Sequence, residues 1–192
     1  MSRRKVNFTQ GGYYHIYNRG ANRERIFQSD ENYRFLLQRV KENISPFQVS
    51  VIAYCLMPNH YHFVLRQEGE KPLSGFMHAI FNSYSKAYNK MYNRSGTLFE
   101  ERFKAIEVDR DEYLLHLCRY VHRNPLDAKV VSNLKDWKFS NYLEWIGKRN
   151  GVLVDHEFVR EFFKTPMQYI EFVHDYFPPK ELEARVRQLA GE

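Results

Sequence analysis

The segment FQVSVIAYCLMPNHYHFVLRQ (Phe47–Gln67) restricts the fold more than any other part of the chain. Two runs rich in β-branched and aromatic residues flank Pro58-Asn59, the pattern of a β-hairpin. In the second run a strand's pleat sends alternate side chains to opposite faces, so Tyr61, Phe63 and Leu65 share one side and His60 and His62 the other. The aromatic side is the natural core face. Two imidazoles at this spacing can grip one metal ion with a third ligand from elsewhere, or they are two hydrogen-bonded surface histidines.

The flanking segments supply the remaining elements. GGYYHIYNRG (Gly11–Gly20) reads as a strand bracketed by glycines. Ser29-Asp30-Glu31 predicts a helix start, with Tyr33, Leu36, Leu37, Val40 and Ile44 forming one apolar face up to Pro46. From Leu73 to Met91, apolar residues recur every three or four positions and predict a long amphipathic helix. RFKAIEV (Arg102–Val108) alternates as a fourth strand. The order β-α-β-β-α-β predicts an α+β fold, the ferredoxin-like split βαβ: an antiparallel sheet with its two helices on one face.

A third helix, surplus to that plan, is expected to begin near Asp109 or Asp111 and to stop at Asn124-Pro125. Within HLCRYVHRNP (His116–Pro125), His116, Tyr120 and Asn124 stand four apart and line one helical face. A phenol and an amide oxygen side by side permit attack on a phosphodiester, with a cation held by His60, His62 and Asn124. In the plainer alternative, Tyr120 packs the helix and Asn124 caps it. The polar break from Gly147 to Gly151 places a boundary there, with residues 1–146 as the main domain and 147–192 as a helical extension. That extension carries helical patterns at Phe158–Phe163, Ile170–Phe177 and Leu182–Leu189.

Composition narrows the partners. The chain has 192 residues, 43% of them hydrophobic, and its 29 Lys and Arg against 23 Asp and Glu leave a net charge of +6 that favours polyanions. The candidate phosphate binders are Arg3, Arg4, Lys5, the loop arginines Arg19, Arg23 and Arg25, and the group Arg102, Lys104, Arg119 and Arg123. The two cysteines, Cys55 and Cys118, lie in apolar segments and fit buried thiols in a reducing compartment. No apolar run follows Met1-Ser2-Arg3-Arg4-Lys5 and none is long enough to span a bilayer, so a cytoplasmic protein without membrane contact is expected.

Four motifs, YHIYNRG, AYCLMPNHYHFVL, GTLFEERFKA and YVHRNP, occur in the order and form of the single-tyrosine HUH transposases. They most closely resemble the REP-associated tyrosine transposases, over roughly residues 8 to 145. The resemblance implies DNA strand cleavage and transfer on single-stranded or hairpin DNA, such as repeated extragenic palindromes, through a 5′-phosphotyrosine. It implies His60 and His62 as ligands of a divalent ion, magnesium or manganese, Tyr120 as nucleophile and Asn124 as third ligand. Val121 replaces the family's isoleucine, and His122-Arg123 is more basic than the family pattern. His116 could assist proton transfer or simply pack, and Glu100 or Glu101 could approach the metal or stay solvated. The resemblance leaves monomer and homodimer open, since insertion-sequence relatives exchange the tyrosine helix and the REP-associated branch looks monomeric. Two rival classes remain: a domesticated hairpin-binding protein that does not cut, and a metal-dependent hydrolase of small phosphates.

Overall fold

The computed structural model describes residues 6–108, 111–174, 180 and 184. Arg3, Arg4, Lys5 and most of Leu182–Leu189 lie outside the described residues. Four strands, β1 (Tyr13–Arg19), β2 (Val49–Met57), β3 (His60–Gln67) and β4 (Lys104–Val108), form one sheet in the order β2-β3-β1-β4, every neighbouring pair antiparallel. With α1 (Asp30–Phe47) and α2 (Leu73–Met91) on one face, this is the ferredoxin-like α+β arrangement expected.

Local chemistry sets the element ends. The Asn32 side-chain oxygen accepts from the amides of Gln28 (2.9 Å) and Ser29 (3.2 Å) and ties down the start of α1. At its other end Gln48 takes a left-handed φ of 51°, so β2 begins at Val49 and not at Phe47. Likewise β4 begins at Lys104, two residues later than expected. The third helix, α3 (Asp111–Asp127), does not stop at Asn124-Pro125. Proline there removes one N–H, but the chain keeps turning and closes with Ala128 N donating to Asn124 O and Val130 N to Pro125 O, both at 2.9 Å.

Both faces of the sheet are covered. Tyr14, Ile16, Tyr61, Phe63 and Leu65 pack under α1 and α2 in one apolar cluster. Ala53, Cys55, Met57 and Val64 pack on the other side against Leu114, Leu117, Cys118 and Val121 of α3. The same second cluster takes in Tyr142 and Trp145 of α4 (Tyr142–Trp145), Phe158 and Val159 of α5 (His156–Phe162), and Tyr169 and Val173 of α6 (Pro166–His174). Cys55 and Cys118 are free and fully buried, and burial pushes both thiols up. Among the described residues no helix is long and apolar enough to cross a membrane.

A buried polar chain joins this second layer to the edge strand. Asn141 Oδ1 accepts from Tyr54 N (2.8 Å), and Asn141 Nδ2 donates to Ile52 O (2.9 Å), where the β2 register slips between Val51 and Ala53. An amide oxygen only accepts, so His122 Nε2–H donates to Asn141 Oδ1 (2.8 Å) and His122 Nδ1 accepts from the Tyr169 hydroxyl (2.5 Å). Burial lowers His122 to about 4, against a weaker opposing effect of its Asn141 bond. Between an unfolded value of roughly 6.5 and the folded value, only the unfolded chain takes up this proton, so stability falls as pH drops through that window, by about 3 kcal/mol in all. Urea midpoints measured at pH 4.5 and 7 should therefore differ less for His122→Gln than for the unaltered chain. Equal pH slopes would contradict this reading of His122.

Candidate active site

Strand register gathers the polar residues that lie far apart in sequence. Across the β1–β3 ladder, Tyr17 stands opposite His62 and Arg19 opposite His60; on the other side, Lys104 stands opposite Tyr17. Directly opposed residues share a face, so Arg19, Tyr17, Lys104, His60 and His62 all emerge on the α3 side. There they line an open cleft of about 610 Å³ together with Tyr120.

Helix α3 crosses this end of the sheet and brings two of its residues to the histidine pair. The Tyr120 ring meets the His62 ring at 88°, with centroids 5.7 Å apart. One turn later, the Asn124 Oδ1 lies 3.1 Å from His60 Nε2. The His60 and His62 rings are themselves perpendicular, 5.0 Å apart. All four expected residues thus converge within one chain.

The electrostatics favour neutral imidazole at the deeper position. His62 is 5% exposed, and burial first, then the neighbouring His15 and His60, hold it well below the usual histidine range. Metal ligation needs that neutral form. His60 meets amide oxygens at both nitrogens, Asn59 Oδ1 at 2.8 Å from Nδ1 and Asn124 Oδ1 from Nε2. A neutral ring has only one N–H to offer. The second contact is satisfied by a charged ring, by an amide turned over, or by a cation shared between Nε2 and the amide oxygen. The 3.1 Å separation is that of an ordinary hydrogen bond, and it also sets the imidazole nitrogen and the amide oxygen side by side, as two ligands of one ion would be. Among the described residues no three His, Cys, Asp or Glu side chains gather as a metal cage.

The basic candidates among the described residues separate into three groups. Arg19, Arg23 and Lys104 line the cleft; Arg19 forms an ion pair with Glu100, whose carboxyl that pairing holds below its usual range. Glu101 lines it too. Arg25 and Arg102 are exposed but outside the lining. Arg119 and Arg123 instead point at α6, donating to Phe172 O and Val173 O, each at 2.9 Å. His116 likewise packs on Phe172, with ring centroids 5.0 Å apart. His15, which sequence reasoning passed over, lies fully buried beside His62 and donates to or accepts from it at 3.0 Å. Its alternation with Tyr17 in YHIYNRG is the signal that places both on the histidine face.

A family model described as "Transposase IS200 like" matches residues 9–124, a span holding His60, His62, Tyr120 and Asn124. The chain belongs to the IS200-like transposase family. No curated protein matches it in sequence. Among solved structures, a REP-associated tyrosine transposase bound to a REP hairpin is similar at TM-score 0.62 and 17% identity, over 81% of this chain and 94% of that one. A protein assigned as a transposase from Deinococcus radiodurans R1 is similar at TM-score 0.44 and 12% identity, over 64% and 97% of the two chains, too slight a likeness to carry an argument. The family read from the four motifs is the family found, and the first neighbour has the same fold.

The two guanidinium bonds from α3 to the Phe172 and Val173 carbonyls tie α6 to the tyrosine helix. Hydrogen bonds to charged groups contribute about 1.5–3 kcal/mol. In an Arg119→Met, Arg123→Met double variant, hydrogen exchange over residues 166–174 should speed up by at least about tenfold, with β3 amides unchanged. Unaltered exchange in α6 would show that these arginines do not hold it.

Proposed function

We propose that this transposase-family chain cuts and rejoins single-stranded or hairpin DNA, with Tyr120 as nucleophile and a divalent ion, magnesium or manganese, held by His60, His62 and Asn124. The observation that carries the proposal is the placement of Tyr120 and Asn124, from one helix, against His62 and His60, from one strand. The adjacency of His60 Nε2 and Asn124 Oδ1, 3.1 Å apart, supports the ligand set. The neighbour's REP hairpin supports the choice of DNA form.

A phenol with a pKa of about 10 is a weak nucleophile at neutral pH, so the reaction depends on making the phosphorus more electrophilic. A bound cation supplies that by drawing charge from the phosphate oxygens. The chain's own groups do the rest. His62, kept neutral by burial, offers a lone pair and a wall against which the Tyr120 ring rests edge to face. Tyr120 Oη forms a bond to phosphorus as the bond to the 3′-oxygen breaks; the phenol gives up a proton and the leaving 3′-oxygen takes one. The 5′-phosphotyrosine keeps the energy of the original ester, so another 3′-hydroxyl can reverse the step without a nucleotide cofactor. Arg19, Arg23 and Lys104 at the cleft would hold the flanking phosphates.

Mixing the protein with labelled hairpin DNA and Mn2+ should yield a covalent band on a denaturing gel, absent in Tyr120→Phe while hairpin binding persists. Cleavage by Tyr120→Phe at the original rate would reject the nucleophile, and binding with no covalent band under any metal would favour a non-cleaving hairpin binder. Charge removal in Lys104→Gln or Arg23→Gln should lower the salt dependence of binding by about one phosphate contact each, whereas Arg123→Gln should leave it unchanged.

A further inference from the structure

His15 sits on β1 with no solvent exposure and no place in the proposed chemistry, yet it makes a close polar contact to the buried His62 ring. In the register His15 stands opposite Val64 and Tyr17 opposite His62, so His15 approaches His62 diagonally across the ladder. The His15 Nε2 to His62 Nδ1 distance is 3.0 Å and the two ring planes differ by 5°. Their centroids are 5.2 Å apart, more than the nitrogen contact by about the two ring radii, so the rings meet edge to edge in one plane and are not stacked face to face. An N–H in one ring plane therefore points straight at a lone pair in the other, the best geometry for this bond. Tyr17 lies nearly parallel to both rings, at 4.9 Å from His15 and 6.0 Å from His62, and hems the pair in.

We propose that His15 is a positioning residue, which accepts the Nδ1 proton of His62 and so fixes the ring orientation and leaves the His62 Nε2 lone pair facing Tyr120 and the cleft. The assignment rests on the metal-ligand reading of His62. A neutral imidazole carries one proton on either nitrogen, and only the Nδ1–H form can coordinate through Nε2. A ligating histidine generally has its second nitrogen engaged in this way, most often by a carboxylate, carbonyl or water. Among the described residues the groups acting on His62 are His15 and His60, not a carboxylate; a second histidine, itself protonated on Nδ1, supplies the acceptor without adding charge. A residue present only to fill the core would not need a nitrogen at that point.

The test uses the full chain with Mn2+ alone as probe, by calorimetry, and ring-nitrogen NMR of the metal-free protein. Replacing the acceptor in His15→Leu should weaken Mn2+ binding about 10- to 100-fold, and His15→Gln, whose side-chain oxygen reaches the position of Nε2, should recover most of it. In the metal-free wild type, the His62 proton should reside on Nδ1; in His15→Leu, the Nε2–H form should appear. Unchanged Mn2+ affinity in a folded His15→Leu variant, with binding lost in His62→Ala, would overturn the role of His15 alone. Unchanged affinity in His62→Ala would overturn the metal-site reading and this assignment with it. Should His15→Leu fail to fold, a wild-type His62 protonated on Nε2 is enough to overturn the proposal.

Discussion

The seating of α3 on the histidine face of the sheet is the constraint on which the site depends. Ala53, Cys55, Met57 and Val64 make that face apolar beside His62, so it has to be covered, and Leu114, Leu117, Cys118 and Val121 cover it. Burying an aliphatic side chain contributes roughly 1.5–3 kcal/mol, whereas a hydrogen bond such as His60–Asn124 contributes about 1 kcal/mol. Packing therefore decides where the helix lies along the sheet, and the polar contacts adjust within that frame. Because Tyr120 adjoins Val121 and Asn124 follows one turn on, the register that buries Val121 also delivers the phenol to His62 and the amide to His60. The core and the site are set by one fit.

Periodicity made the fold legible. The alternation of Tyr61, Phe63 and Leu65 against His60 and His62 correctly divided β3 between two faces, and apolar spacing located all three long helices. Proline was the misleading signal. Pro125 read as a stop, yet near a C-terminus its missing donor leaves a single carbonyl to be satisfied otherwise, and α3 runs on to Asp127. The site was legible where its members shared an element, as His60 with His62 and Tyr120 with Asn124. His15 was not, because its relation to His62 is a register between strands separated by a helix and a hairpin, which no spacing along the chain encodes. Arg119 and Arg123 illustrate the same point in reverse: charge alone suggested phosphate, and only tertiary packing revealed the carbonyls of α6.

The described part of the region after Gly147 bears on the tyrosine helix directly. Phe158, Val159, Tyr169 and Val173 belong to the same apolar cluster as Leu117 and Val121, and the Tyr169–His122–Asn141 chain runs from α6 through α3 to the edge strand. That chain has only one proton arrangement open to it, since Tyr54 N already occupies the Asn141 oxygen as a donor and fixes the direction of every bond outward. Helix α3 is thus held from the sheet side by aliphatic packing and from the outer side by α6, through Tyr169 and the two arginines. A side chain on a helix clamped from both sides is presented in one orientation, and for the nucleophile role proposed for Tyr120 such preorganisation matters because a phenol is a weak attacking group whose approach to phosphorus has to be in line.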